Sequence, residues 1–328
     1  MELYFAPMEG ITGYIFRNAY NEYFGEGVNK YFTPFITPCE KRAVSGRELN
    51  DVAPKNNTGL NIVPQVITAK ASDFNMVKER LRDIGYTEVN LNLGCPSRTV
   101  TSKGRGSGAL VDLSSLDRLL EGIFADGDNE ISIKTRIGVV DAEEFHKIMD
   151  IYVKYPIKEL TIHPRVTNEM YKGKPHVDIF MQEIERCPFK VCYNGDICSV
   201  KDYENIINMT KADNLHAIMI GRGALMRPVI FNEIAEHIGG QKAKKTSCSM
   251  EQNALPDSVN DRILDMMLKL RKDYSEIFSG QRPVLYKLKE IWSYLRVNFE
   301  DDKLIKKLLK SNSIEEFEVL ERLILQDK

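Results

Sequence analysis

Residues 61–94, NIVPQVITAKASDFNMVKERLRDIGYTEVNLNLG, join two short apolar runs through one longer amphipathic segment. In that segment Phe74, Val77, Leu81 and Ile84 recur at helical spacing, which predicts one apolar helix face, and Gly85 closes the helix. The flanking NIVPQVI and EVNLNLG are too short for helices and read as buried strands. A strand, a helix and a second strand in succession are the repeating unit of a parallel α/β sheet.

The same alternation runs through the first 230 or so residues, with LYFAPM (3–8), YFTPFI (31–36), ISIKTRI (131–137), ELTIHP (159–164), KVCYNG (190–195) and AIMIGR (217–222) as further strands. Eight such units imply a closed parallel barrel of about 250 residues. An open doubly wound sheet is the competitor, but the first strand is not followed by G-x-G-x-x-G. The stretch QKAKKTSCSMEQNALPDS (241–258) is polar and irregular, and beyond it the pattern is purely helical. The expected fold is therefore α/β, a parallel (β/α)8 TIM barrel at 1–240 followed by a small C-terminal helical domain at 241–328.

Composition narrows the chemistry. Lys and Arg number 45 against 47 Asp and Glu, so no global field declares a polyanionic partner, and any RNA contact needs a local arrangement of cations. The six cysteines form no C-x-x-C pair and read as free thiols of a reducing, cytoplasmic compartment, with neither disulfide framework nor metal site. No run approaches the roughly 18 apolar residues of a membrane span, so no membrane partner is expected.

In a parallel barrel the active site forms where the strands end at their C-termini. Ala6, Pro7 and Met8 close the first strand, and Gln65 lies in the third. Asn92 and then Cys95 close the fourth, and Lys134 and Arg136 the fifth. His163 and Arg165 follow for the sixth, Asn194, Gly195 and Asp196 for the seventh, and Gly221 with Arg222 for the eighth. The last two loops carry the glycines that let backbone N–H groups approach a phosphate. A buried Lys134 suits the negative edge of a reduced flavin, and Gln65 offers amide groups to a ring edge. Cys95 sits in a Gly-Pro turn under a flexible cationic loop bearing Arg98, Lys103 and Arg105. A thiol near its ordinary pKa of about 8.5 suits a proton donor better than a nucleophile. On 281–296, Arg282, Lys289 and Arg296 fall seven residues apart and predict a cationic stripe beside the apolar face of Leu285, Leu288, Ile291 and Leu295.

With these segments in order, the chain resembles the flavin-dependent tRNA-dihydrouridine synthases. The resemblance rests on FAPMEGIT (5–12), PQV (64–66), NLNLGCPSRTV (90–100) with GSGAL (106–110), IKTRIG (133–138), IHPR (162–165), NGDI (194–197) and GRGAL (221–225), and YKLKEIWSYLR (286–296) is similar to the subgroup with a compact helical domain. It implies FMN as cofactor, NADPH as reductant and tRNA as partner of a monomeric enzyme. Hydride adds at C6 of a uridine and Cys95 protonates C5. The residues at the strand ends, with Gln65, Lys134 and His163, would hold FMN. Asn92, Arg98, Lys103, Arg105, Arg165 and the stripe Arg282, Lys289 and Arg296 would face the substrate. Glu9, Pro164 and His176 depart from the family pattern. Two alternatives stand beside this reading: a flavoenzyme of the dihydroorotate dehydrogenase kind acting on a free pyrimidine, and a barrel that binds RNA without catalysis.

Overall fold

The computed structural model describes residues 1–38, 44–210, 212–240 and 257–326. Most of the expected linker, and Cys39 and Cys248, lie outside them. Eight strands are present: β1 (Glu2–Phe5), β2 (Lys30–Ile36), β3 (Ile62–Val66), β4 (Val89–Leu93), β5 (Ile131–Arg136), β6 (Glu159–His163), β7 (Lys190–Tyr193) and β8 (Leu215–Ile220). Each pairs in parallel with the next and β8 pairs with β1, closing the barrel. All eight sequence-predicted strands are there. The helix Ala71–Asp83 buries Phe74, Val77 and Leu81, and Ile84 is its C-cap. Gly85 follows at φ +102°, a left-handed conformation that glycine adopts without a steric cost.

Period-2 alternation divides the inside of the barrel into two halves. Tyr4, Ala6, Phe32, Val63, Cys192, Ala217 and Met219 form one buried apolar cluster, drawn from β1, β2, β3, β7 and β8 or their ends. From Gln65 of β3 through β6 the inward positions are polar instead. Gln65 pairs with Asn90, Asn90 with Ser132, Asn92 with Lys134 and Arg136 with His163. The alternate residues Leu91, Leu93, Ile131 and Ile133 are fully buried on the other face of the strands.

By compactness the chain forms two units: residues 1–9, 29–197 and 204–220, and residues 10–28, 198–203 and 221–328. The segment 221–240, assigned by the sequence to the barrel domain, thus groups with the C-terminal helices, as does the helix Tyr14–Phe24. In this second unit Arg262 donates to the Tyr23 carbonyl and covers the Phe24 ring at 4.6 Å. The helix Gln281–Leu295 buries the expected Leu285, Leu288, Ile291 and Leu295 with Trp292, whose Nε1 donates to Glu321 Oε1 at 2.6 Å. Among the described residues no helix is long and apolar enough to cross a membrane.

Candidate active site

Cys95 begins the loop after β4, and Asn92 holds it there. Asn92 Oδ1 accepts the backbone N–H groups of Gly94 at 3.0 Å and Cys95 at 2.9 Å, a turn that a short amide makes with its own chain. The Cys95 carbonyl accepts both N–H and hydroxyl of Ser107, at 3.1 and 3.0 Å. The intervening loop is folded, contrary to the flexibility expected of its glycines: it forms a short helix, Arg98–Thr101, and a 3-10 turn, Gly106–Leu110. A Cβ on Gly106 would stand 2.7 Å from the Cys95 carbonyl oxygen, and one on Gly108 2.5 Å from that of Thr101. Close approach, not mobility, requires these glycines. Burial pushes the Cys95 thiol above its ordinary value; the Ser97 backbone pulls against it, Glu9 adds to it, and Arg136 and Lys134 do not reverse it.

Lys134 lies beside Asn92 in the strand register, two residues below Arg136. Among the described residues its side chain has no ion pair or hydrogen bond within the chain. Burial, then the neighbouring Arg136, lowers its pKa to about 8, so the ammonium is charged at neutral pH and lacks a counter-ion. The Arg136 guanidinium spreads over three carbonyls, Gly94 at 3.0 Å, Val166 at 2.9 Å and Met170 at 2.6 Å, tying the loops after β4 and β6 together. Its position over the Tyr171 ring, at 5.4 Å, and that of His163, 6.2 Å from the same ring, place a half-exposed aromatic beside the site.

Arg165, fully buried, uses all of its donors within the chain. Nε reaches the Lys172 carbonyl at 3.1 Å and Nη2 that of Gly173 at 2.7 Å; Nη1 meets His163 Nε2 at 3.2 Å, and both Nη atoms hold the Asp196 carboxylate. A guanidinium carries five N–H groups and no acceptor, so none is left for a substrate, and His163 must accept at Nε2 and carry its proton on Nδ1. The substrate contact expected of Arg165 therefore has no donor to make it, and the residue anchors His163 and Asp196 instead. Asn194 Nδ2 donates to the Met219 carbonyl at 2.8 Å, bracing β7 on β8. Gly195 is glycine because a Cβ there would stand 2.8 Å from the Tyr193 hydroxyl.

Residues 4–317 match the sequence pattern of Dihydrouridine synthase (Dus). The chain belongs to the dihydrouridine synthase family. Curated relatives include the probable tRNA-dihydrouridine synthase 2 of Bacillus subtilis (strain 168), 29% identical over 247 residues, covering 71% of this chain and 72% of that protein. Another is the probable tRNA-dihydrouridine synthase of Helicobacter pylori (strain ATCC 700392 / 26695), 31% identical over 244 residues with 71% and 69% covered. The tRNA-dihydrouridine synthase B of Pseudomonas syringae pv. tomato is 27% identical over 242 residues, with 72% and 68% covered.

In this dihydrouridine synthase Asn92 and Lys134 are register partners, Gln65 lies opposite Asn90 and His163 opposite Arg136, and Cys95 stands two residues past the end of β4. Buried Ala6 donates its N–H to Ile220 at 2.8 Å, with Pro7 and Met8 half-buried after it. Arg98 and Lys103 are exposed and Arg105 half-buried; among the described residues their side chains make no hydrogen bond or ion pair. In the second unit Gly221 precedes the short helix Arg222–Met226. The stripe on Gln281–Leu295 is uneven: Arg282 Nε donates to Tyr286 Oη at 3.0 Å, Lys289 Nζ is held by the Ser311 carbonyl, and Arg296 lies exposed just past the helix end. His176 Nε2 pairs with Glu169 Oε1 at 2.8 Å. Sequence reasoning passed over Glu88, Asn90, Ser132 and Tyr171 and gave Arg136 no role. The alternation of polar with apolar residues in VNLNL and ISIKTR was the available signal for Asn90 and Ser132.

Proposed function

We propose that this enzyme reduces the C5=C6 bond of uridines in tRNA to 5,6-dihydrouridine, with FMN as cofactor and NADPH as reductant, in the cytoplasm. The observation that carries the reading is the Cys95 thiol, raised in pKa by burial and held by the Asn92 turn beside an inward lysine without a counter-ion.

The residues fit a flavin. Lys134 offers positive charge to an anionic ring edge, and Gln65, after donating one Nε2 proton to Asn90 and accepting from Asn92, keeps a second proton for a ring acceptor. The loop after β7, Asn194, Gly195 and Asp196, would hold the phosphate in this reading. Held there, FMN would be the source of the hydride that adds at C6 of the pyrimidine.

The chain's own residues do the rest. Hydride addition at C6 leaves negative charge shared between C5 and the C4 carbonyl, and an acid must quench it. Cys95 keeps its proton at neutral pH and delivers it to C5. Neutral His163, with its proton on Nδ1, is a donor fixed in tautomer by Arg165. Arg98, Lys103 and Arg105 meet the phosphate backbone near the reacting base, and Arg282 and Arg296 are cations that the helical domain at 241–328 offers to tRNA phosphates.

The test separates two half-reactions. Cys95→Ala is expected to keep NADPH-dependent bleaching of the flavin in stopped flow and to form no dihydrouridine in tRNA by mass spectrometry. Loss of flavin reduction in this variant, or dihydrouridine at the wild-type rate, overturns the general-acid role, and a protein that neither carries nor binds FMN overturns the whole reading.

A further inference from the structure

We infer that Glu88, Ser132 and Asn90 are positioning residues for the reaction: a one-way chain of hydrogen bonds anchored on the Glu88 carboxylate fixes which way the Gln65 and Asn92 amides face beside Cys95. Glu88 Oε1 accepts from the Ser132 hydroxyl at 2.8 Å, while Glu88 Oε2 accepts from Lys30 at 3.0 Å and faces Lys158 at 3.2 Å. An ionised carboxylate only accepts, so the Ser132 hydrogen is committed and Ser132 Oγ must accept from Asn90 Nδ2, at 3.0 Å. That turns Asn90 Oδ1 toward Gln65 Nε2, at 2.7 Å, and Gln65 Oε1 toward Asn92 Nδ2, also at 2.7 Å. Asn92 Oδ1 is then the acceptor that the Gly94 and Cys95 N–H groups require.

Both ends impose the same direction. One is acceptor-only and the other donor-only, so reversing any amide between them sets like group against like. The strand register supplies the spacing, since Gln65, Asn90 and Ser132 are neighbours on β3, β4 and β5. Gln65 and Asn90 are wholly buried and Ser132 is 1% exposed, so solvent cannot repair a broken link. Asn92 thereby acts on Cys95 through the backbone turn, and Glu88, just before β4, governs the orientation of the Gln65 amide on β3 and the Asn92 amide on β4.

The inference rests on the proposed reaction at Cys95, and the experiment keeps the two apart. On the protein as purified, kcat and KM for tRNA are measured together with the rate at which iodoacetamide alkylates Cys95 without RNA, followed by peptide mass spectrometry. Ser132→Ala and Glu88→Gln are expected to lower kcat at least about tenfold with KM within about twofold, and to speed Cys95 alkylation about threefold or more. Ser132→Thr keeps the hydroxyl and is expected to stay near wild type in both. Asn90→Asp, equal in size but without the amide donor toward Ser132, is the second variant should Ser132→Ala not fold. Wild-type kcat and alkylation in the folded variants overturn the proposal; so does a Ser132→Thr as impaired as Ser132→Ala, which would assign the effect to packing. Cys95→Ala runs alongside: dihydrouridine formed by it at the wild-type rate overturns the reaction assignment, while alkylation of the intact Cys95 in the other variants still judges the chain.

Discussion

Arg165 and Asp196 clasp each other in two contacts, Nη1 to Oδ1 at 3.0 Å and Nη2 to Oδ2, and Asp196 adopts φ 43° to make them. The pair joins the end of β6 to the end of β7, and through Nη1 it also sets the His163 ring. Left-handed backbone at a non-glycine residue persists only where its surroundings over-determine it, and here the buried guanidinium does so.

Asp196→Asn isolates the charge, because asparagine tolerates the same φ. It is expected to destabilise the protein by about 1–3 kcal/mol, below the figure for a fully buried pair because the Asp196 side chain is 37% exposed. Urea unfolding of the two proteins measures the difference; equal midpoints would show that Arg165 does not depend on its counter-ion.

Gly106→Ala tests whether the glycine after the cationic segment serves packing. Its φ is +56°, and the new Cβ would press on the Cys95 carbonyl and Cβ at 2.7 and 3.0 Å. Strain of about 1–2 kcal/mol is expected, with a loss of dihydrouridine formation and little change in flavin reduction by NADPH. A variant as active as wild type would mean that the loop accommodates the methyl without moving Cys95.

These glycines also mark where sequence reading stopped. The strands were legible because short runs of buried apolar residues such as EVNLNLG fit no helical period, and the Gly85 stop needed only local chemistry. Glycine at 106 and 108 reads equally as freedom or as close approach, and only the segment folded against it decides. The partners of Arg165 and Lys289 lie 31 and 22 residues away, at Asp196 and Ser311, where no local pattern reaches. A cation expected to face the substrate is thus occupied by its own chain at both positions.

Glu159 predicts a pH dependence of stability. Its carboxyl sits inside the barrel with Oε2 accepting from Tyr4 Oη at 2.9 Å and Oε1 buried with no hydrogen-bond partner among the described residues, and burial raises its pKa to about 7, with Lys30 opposing and Glu88 adding. The ordinary value is 4.5. Below that both folded and unfolded chains are protonated and the site costs nothing. As pH rises through 7 the favourable difference is lost, by up to about 3 kcal/mol. Glu159→Gln, which stays neutral, should gain about that much over wild type between pH 4.5 and pH 8 in chemical denaturation; a gap that does not grow with pH would place the titration elsewhere.

The cations around Cys95 and those on the C-terminal helix differ in what already holds them, and salt dependence can separate them. Arg98, Lys103 and Arg105 have no side-chain partner among the described residues, whereas Lys289 is bound to the Ser311 carbonyl. Each phosphate contact adds about 0.7–0.9 to the slope of log affinity against log salt, so changing Arg98, Lys103 and Arg105 together to Gln should flatten the slope for tRNA by about 2–3. Arg282→Gln with Arg296→Gln should flatten it by about 1.5–2, and Lys289→Gln should leave the slope alone and lower the thermal midpoint instead, because it removes a hydrogen bond inside the helical unit. Filter binding across a salt series reads all three. A slope unchanged in the Arg98, Lys103 and Arg105 variant would take the phosphate backbone away from the Cys95 loop, and a slope that falls in Lys289→Gln would show that this ammonium leaves its carbonyl for the RNA.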